Sequence, residues 1–493
     1  MPHSRPNVLF LMDDEHRADV LGYAGNKIVR TPHLDRLAER AVIFDHAYAA
    51  APICVPGRQC LMSGQLPLNC GCQNYGEDLE PGHETFARAF TREAYHTVAC
   101  GKLHHMGMDQ MQGWRQRIGA DCHVMPEYIA DRNKEAYAAQ ATARGWLKWS
   151  ETKEIQKAGN ADSRQHSNDR YALQGALDFI RFHYADHGYE RSLPSEPVLL
   201  KVSFVQPHYP YFADADRLRY YFDRVQPFLN EPVFDHPFLQ RLKVRPGVDV
   251  TEHELRTATA AYYAMIETVD DYFGQITRAL EKVGQNLDDW IIIYTSDHGE
   301  MLGEHGLWEK QKFFEGSVRV PLFIRWPKSF PHAHHINRNV SHCDLFATLC
   351  DLAGLPAPSG TDSRSLVPLM RDRSAAWDDT VISQYSTTNF MVKRGPLKYQ
   401  RYAPGEPELL FDLDRDPAER KSFLHDPSYA ERLGQLRRRL DEYIAGATNR
   451  VHGNLSQPIA ATAPTIRLVP RAKSTISRRL GLVTSNHGWL TRR

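Results

Sequence analysis

Two adjacent carboxylates, Asp13-Asp14, and a distant Asp297-His298 pair are the residues best suited to hold a cation. Neighbouring carboxylates in a buried crevice repel strongly unless a cation sits between them. Their hard oxygens suit calcium, magnesium or manganese, and the imidazole tilts the set toward manganese, or even zinc. A second group of reactive types lies in Gly101-Lys102-Leu103-His104 and Gln206-Pro207-His208, with Lys310 in Trp308-Glu309-Lys310. A third lies in Ala51-Pro52-Ile53-Cys54-Val55-Pro56-Gly57-Arg58. Taken singly, Asp13 or His208 is more often a cap or a loop hydrogen bond, and Lys102 or Lys310 a solvated lysine. Lys312, two residues past Lys310, is read as such a surface lysine.

What changes that balance is the elements that carry them. Each polar group follows a short apolar run: Asn7–Met12 before Asp13-Asp14, Tyr95–Cys100 before Lys102, Val198–Phe204 before His208, and Trp290–Thr295 before Asp297. Runs of this length and composition read as strands buried on both faces. Between them, Thr31–Ala41 and Leu255–Val283 repeat apolar residues every three or four positions, as helices do. Alternating strands and helices predict a large, mostly parallel α/β sheet with helices on both faces. Ligands bind such sheets beyond the carboxyl ends of the strands. One reactive strand end would be weak evidence; four predict a site.

Cys54 should lie at or just before a helix N-terminus, because Pro56 suits a first turn and an apolar segment follows. The helix dipole there favours an anion, or a nucleophile poised as one, and Arg58 adds a permanent charge one turn on.

Composition bounds the class. The chain has 493 residues, 42% hydrophobic and 24% charged, with 60 basic and 60 acidic residues. No net field argues for nucleic acid or an acidic membrane as a partner. No apolar run nears the roughly 18 residues of a membrane helix, and Asp13-Asp14 cut the N-terminal run too short for a signal-peptide core. The expectation is a cytoplasmic protein. Eight cysteines make no disulfide framework, and Cys70-Gly-Cys72 lacks the second pair of a zinc module. Apart from Cys54 they read as small buried apolar residues.

Cys54-Val55-Pro56-Gly57-Arg58 with Ser63-Gly64-Gln65-Leu66-Pro67 resembles the signature of the formylglycine-dependent sulfatases, of the alkaline phosphatase superfamily. Pro6–Asp14 with Asp19 and Gly22, Thr31–Leu37, Gly101–His104, Gln206–Pro210, Ser296–Glu300 through Lys310, and Tyr399 with Leu410–Pro417 fit the same family in order. The likeness spans residues 6 to about 445. Gly57 stands where serine or alanine is commonest. His298 stands where many calcium sulfatases carry Asn; Asp-His at this point is more similar to choline sulfatases and phosphonate monoester hydrolases.

The resemblance implies a catalytic domain over 1–375, a smaller antiparallel sheet plus helix over 376–446, and a basic tail over 447–493. It implies one divalent ion on Asp13, Asp14, Asp297 and His298, calcium ahead of manganese or magnesium. It implies formylglycine made from Cys54 by a formylglycine-generating enzyme, whose hydrate attacks sulfur. Arg58 and Lys102 would hold the hydrate, and Lys102 and Lys310 the sulfate. His208 would contact the sulfate or protonate the leaving oxygen, and His104 would deprotonate the remaining hydroxyl so that the hemiacetal sulfate collapses. His105 and His305 read as structural or substrate-adjacent. The implied activity is hydrolysis of a small organic sulfate monoester. Phosphonate monoester or phosphodiester hydrolysis on the same machinery is the alternative, and a non-catalytic binder of sulfated ligands with unmodified Cys54 another. A homo-oligomer stays open. From Arg450 onward the chain carries eight basic residues and no acid: a solvated tail, a subunit dock or, last, a polyanion-binding segment.

Overall fold

Val8–Asp13 (β1) is apolar at its first five positions and buried throughout. Its side chains alternate between two cores: Val8, Phe10 and Met12 face one, Leu9 and Leu11 the other. That is the signature of a strand covered on both faces, and each such Leu or Phe contributes about 1.5–3 kcal/mol by burial. The structure is a computed structural model that describes residues 5–119, 150–185, 196–231 and 234–454. Cys122 and the tail beyond Asn454 lie outside the described residues.

The remaining strands of the main sheet are Val42–Tyr48 (β2), His96–Gly101 (β3), Gln116–Ile118 (β4), Val198–Ser203 (β5), Ile291–Ser296 (β6), Arg319–Val320 (β7), Leu322–Arg325 (β8) and His334–Ser341 (β9). Their order is β9-β2-β8-β6-β1-β5-β3-β4, with β7 paired to β2. Only β7 and β8 run against the rest. The four expected strands form the contiguous centre, β6-β1-β5-β3, and the flanking β2, β8 and β9 complete the sheet. Register aligns the ends: Asp13 pairs with Ser296, Met12 with Ser203, and Gly101 with Ser203. Every chain leaving this edge therefore starts at the same height.

Helices cover both faces. Cys54–Ser63 (α2), Phe86–Arg92 (α3) and Asp344–Ala353 (α6) supply the core with Phe10. Pro32–Ala38 (α1), Arg164–Tyr184 (α4) and Glu252–Lys282 (α5) supply the other. A capping box of Thr251 and Glu254 starts α5. Asp270 on α5 accepts from the backbone N–H groups of His33 and Leu34, satisfying the first turn of α1.

A second sheet, Thr380–Tyr385 (β10), Asn389–Arg394 (β11), Leu397–Arg401 (β12) and Leu409–Asp412 (β13), is antiparallel in sequence order. β11 and β12 are separated by a turn at Gly395, which takes φ 54°. One face receives Leu433, Leu436 and Leu440 of the helix Ala430–Asn454 (α7). The other face meets Met301, Phe313, Phe314 and Val318. The small sheet therefore backs the loop that leaves β6, the loop carrying Lys310. Among the described residues, no helix is long and apolar enough to cross a membrane.

Candidate active site

Lys102 follows β3 through Gly101, which takes φ 85°; a Cβ there would stand 2.2 Å from the Ser203 carbonyl. Only glycine allows that close crossing. Gly57 is a similar case: a Cβ would meet the Ala51 carbonyl at 2.8 Å and that of Asp297 at 3.4 Å. A side chain at this position would press on the Ala51 carbonyl in the segment that leads into α2.

Cys54 opens α2, with Ile53 as an extended N-cap, as expected. The thiol is buried, and burial pushes its pKa up to about 11, with Lys102 pulling it down and Asp14 raising it. Dipole and cations do not offset desolvation here. Burial thus favours the neutral thiol over the thiolate at this position.

Arg58, fully buried, uses its whole guanidinium to brace the acids. Its Nε donates to Asp297 Oδ2 at 2.7 Å, and Nη2 to Asp14 Oδ2 at 2.9 Å. Its Nη1 donates to the Lys102 carbonyl and Ser203 Oγ, both at 2.8 Å. Lys102 Nζ lies 2.6 Å from the same Asp14 Oδ2. Burial would raise the Asp14 pKa, but Lys102, His208 and Arg58 outweigh it and hold the carboxyl well below its usual range. Burial lifts Asp297 to about 7, opposed by Arg58 and reinforced by Asp14.

The fit to a metal ion can be tested on the atoms left over. Asp14, Asp297 and His298, all buried, offer ligand atoms within 4.8 Å of one another. His298 Nδ1 donates to the Gly299 carbonyl at 3.0 Å, which leaves the Nε2 lone pair free, and that nitrogen has no hydrogen-bond partner. Asp14 Oδ1 and Asp13 Oδ1 are buried and unpartnered as well. Asp13 spends its other oxygen on His16 Nδ1 at 2.7 Å and Tyr294 Oη at 2.9 Å, an outer support of the kind metal ligands receive. Buried orphan acceptors of this number are costly unless a cation completes them. The donor set fits a divalent ion.

Lys310 reaches the mouth from the loop backed by the small sheet. Its Nζ donates to Glu15 Oε2 at 2.8 Å and to His208 Nε2 at 2.6 Å. Burial works against the charge, yet Glu15, with Cys54 and Asp14, raises the ammonium pKa above the ordinary lysine value. His208 Nδ1 donates to the Tyr209 carbonyl at 2.6 Å. Burial and the Lys310 charge hold its imidazole neutral, with a pKa well below the usual histidine value. His104, in left-handed backbone at φ 56°, is buried edge-on to Tyr75 at 6.2 Å, and its carbonyl accepts from Gln59 Nε2 at 2.8 Å.

The structure thus gathers Asp13, Asp14, Arg58, Lys102, His208, Asp297, His298 and Lys310 into one linked network at the strand ends, with Cys54 within reach of the Lys102, Lys310 and Asp14 charges. Two participants were missed. Glu15 directly follows Asp14, and the run of three acids was the available signal. Asp169 on α4 accepts from the backbone N–H of Val205 at 2.6 Å and Gln206 at 2.9 Å, pinning the turn before His208; nothing in a helical run announces it. Lys312 requires a correction. It is buried, not a surface lysine, and donates to the Trp308 carbonyl at 2.6 Å. His305 is buried against Phe314 and His105 beside Gln110, outside this network.

The family model described as Sulfatase matches residues 6–355. A second, described as N-sulphoglucosamine sulphohydrolase, C-terminal, matches residues 303–446. A choline-sulfatase of Rhizobium meliloti (strain 1021) is 30% identical over 87% of this chain and 84% of its own. An arylsulfatase of Clostridium perfringens (strain 13 / Type A) is 28% identical over 90% and 95%. Among solved structures, a phosphonate monoester hydrolase of Agrobacterium radiobacter superposes with TM-score 0.71 at 26% identity, over 90% of this chain and 96% of its own.

Proposed function

This chain belongs to the sulfatase family of hydrolases, and on that premise we propose that it cleaves a small organic sulfate monoester using formylglycine at position 54 and one divalent ion. The observation that carries the reading is the group of unpartnered buried acceptors, Asp13 Oδ1, Asp14 Oδ1 and His298 Nε2, gathered beside the start of α2. Asp14, Asp297 and His298 would hold the ion, with Asp13 beside them; calcium, manganese or magnesium all suit the oxygens. When bound, the ion supplies positive charge that favours ionisation of a neighbouring hydroxyl. Formylglycine, made by a formylglycine-generating enzyme, supplies an aldehyde whose hydrate carries that hydroxyl and a second one.

The chain's own residues do the rest. Arg58 aims Asp14 and Asp297 and opposes the protonation that burial favours at Asp297, acting as a brace rather than a substrate contact. Lys102 and Lys310 offset the charge on the sulfuryl oxygens. His208 Nε2 is an acceptor in the resting arrangement. His208 therefore serves as the general acid after it has taken a proton from the Lys310 ammonium that donates to it, passing that proton on to the departing oxygen. His104 takes the proton of the second hydroxyl in the later half of the cycle. Burial of the whole mouth excludes bulk water and strengthens each of these interactions.

A second reading, phosphonate monoester or phosphodiester hydrolysis, draws on the likeness to the Agrobacterium enzyme; the same cations serve a phosphorus centre. The test is mass spectrometry of the Cys54 peptide together with parallel assay of a sulfate ester, a phosphonate monoester and a phosphodiester. The proposal expects an aldehyde at residue 54 and the highest kcat/KM on the sulfate ester. Preference for a phosphorus ester would move the assignment to the second reading, and an unmodified, active Cys54 would overturn the mechanism.

A further inference from the structure

Beside the Asp14–Asp297–His298 group lies a second set of buried ligand atoms. Asp14, Glu15 and His208 also offer atoms within 4.8 Å of one another. His208 donates its Nδ1 proton to the Tyr209 carbonyl, so the Nε2 lone pair points into this space. Glu15 Oε2 points there too, and both converge on Lys310 Nζ, at 2.6 and 2.8 Å.

An ammonium in an ordinary buried ion pair would not account for what remains. Asp14 Oδ1 would be completed by the ion of the first set, but Glu15 Oε1, also buried with no hydrogen-bond partner, lies outside that set. The mouth carries Asp13, Asp14, Glu15 and Asp297 against Arg58, Lys102 and Lys310; Glu300 and Glu309 lie nearby together with the buried Lys312. Asp14 belongs to both ligand sets. A carboxylate shared between two cations is the arrangement of two-metal sites, whose ions stand roughly 3.5–4 Å apart. The ligands come from the end of β1 and the turn after β5, whereas Lys310 enters from another loop. Its side chain can therefore be removed without touching them.

We infer that Asp14, Glu15 and His208 form a second cation site, filled in this chain by its own Lys310 ammonium, and that a divalent ion occupies the site when the ammonium is removed. Two carboxylates and one imidazole suit manganese or zinc better than calcium. The inference is independent of what the enzyme hydrolyses, because ion counting needs no turnover.

The experiment uses the full chain dialysed against manganese, with bound metal counted by elemental analysis and read by electron paramagnetic resonance. Lys310→Ala is expected to bind one more ion per chain than the parent and to show a spin-coupled manganese signal. Lys310→Arg, which keeps a cation, is expected to gain none, and Glu15→Gln in the Lys310→Ala background to lose the extra ion. Methylammonium should displace that ion from Lys310→Ala. No gain in a Lys310→Ala or Lys310→Ser protein that keeps the parent's circular dichroism overturns the inference. So does a gain that survives Glu15→Gln, or a coupled pair already present in the parent. A parent that binds no manganese would count against the metal in the proposed function, while the difference between parent and variant still tests the second site.

Discussion

Two fully committed lysines sit in buried ion networks of this molecule, and they differ in what surrounds them. Lys398, on β12 of the small sheet, has Glu315 at 2.6 Å, Glu419 at 2.7 Å and the Phe313 carbonyl at 3.0 Å. Glu315 Oε1 and Glu419 Oε1 lack a well-formed hydrogen bond, but the Lys398 ammonium stands directly against both, and Arg319 lies 3.0 Å from the other oxygen of Glu315. Lys310 has Glu15 and His208, but around it Asp13, Asp14, Glu15 and His298 each keep an atom with no partner. Burial of a charge therefore does not distinguish a site from a support. What distinguishes them is where the cations stand: Lys398 faces the orphaned oxygens of Glu315 and Glu419, whereas at the mouth the close pairs go to Asp13 Oδ2, Asp14 Oδ2 and Glu15 Oε2 and leave the other oxygen of each acid over.

The comparison breaks most sharply if the mouth tolerates damage. Cys54→Ala should reduce turnover by at least about four orders of magnitude, the scale on which loss of a covalent nucleophile is felt, with the melting temperature unchanged. Asp297→Asn should cost about 10²–10⁴ in kcat/KM and lose the bound ion at once, as elemental analysis would read. Stoichiometric ion in that variant would remove Asp297 from the ligand set.

The two histidines sharpen it within the mouth. His208→Ala should fall about 10²–10³-fold on esters of alcohols with high pKa and far less on activated aryl esters, since a good leaving group scarcely needs a proton. His104→Ala should release about one equivalent of alcohol per chain in a burst and then stall, whatever the ester. Equal leaving-group sensitivity in both variants would undo the division of roles.

In the small sheet the expectation inverts. Lys398→Met leaves Glu419 buried without its cation and Glu315 with Arg319 alone, a loss of about 3–5 kcal/mol in stability by denaturant unfolding, while the folded fraction should keep kcat within about twofold. A large kcat loss would show that the sheet does more than back the Lys310 loop.

How much of this was legible follows from where each signal resides. The four central strands were readable because each is a continuous apolar run, and Asp13, Lys102, His208 and Asp297 because each ends one. The flanking β2 carries Asp45 and His46 and β9 carries His334, His335 and Arg338, so neither shows such a run. Lys312 was misread because a lysine in a polar loop has no sequence mark of burial; it is covered by a fold that only the packing of Trp308 creates. Glu15 was passed over beside a stronger pair, and Asp169 acts through backbone N–H groups, a partnership that leaves no trace in residue types. The ligand-bearing ends were thus visible, and the residues that aim them were not.

The smallest effect concerns Lys393, a neighbour of Lys398 in the same sheet. It is buried, with its ammonium on Asn339 Oδ1 at 2.7 Å and the Gly395 carbonyl at 2.6 Å, and no carboxylate stands against it as Glu419 does against Lys398. Burial lowers its pKa to about 8, with Glu315 only partly opposing and Lys398 adding repulsion. In the unfolded chain the same lysine titrates near 10.4. Between those values the unfolded state binds the proton and the folded state does not, so stability contributed by this group rises as pH increases from about 8 to 10.4. Below pH 8 both states are protonated and the cost of burying the charge is paid in full. The expected gain is about 1–3 kcal/mol, read as the difference in unfolding free energy between the parent and Lys393→Met across that window. The variant should be the more stable protein at pH 7.5, with the gap closing by pH 10. A gap that widens with pH would mean that Lys393 is held protonated like Lys398, and that the small sheet treats its two lysines alike.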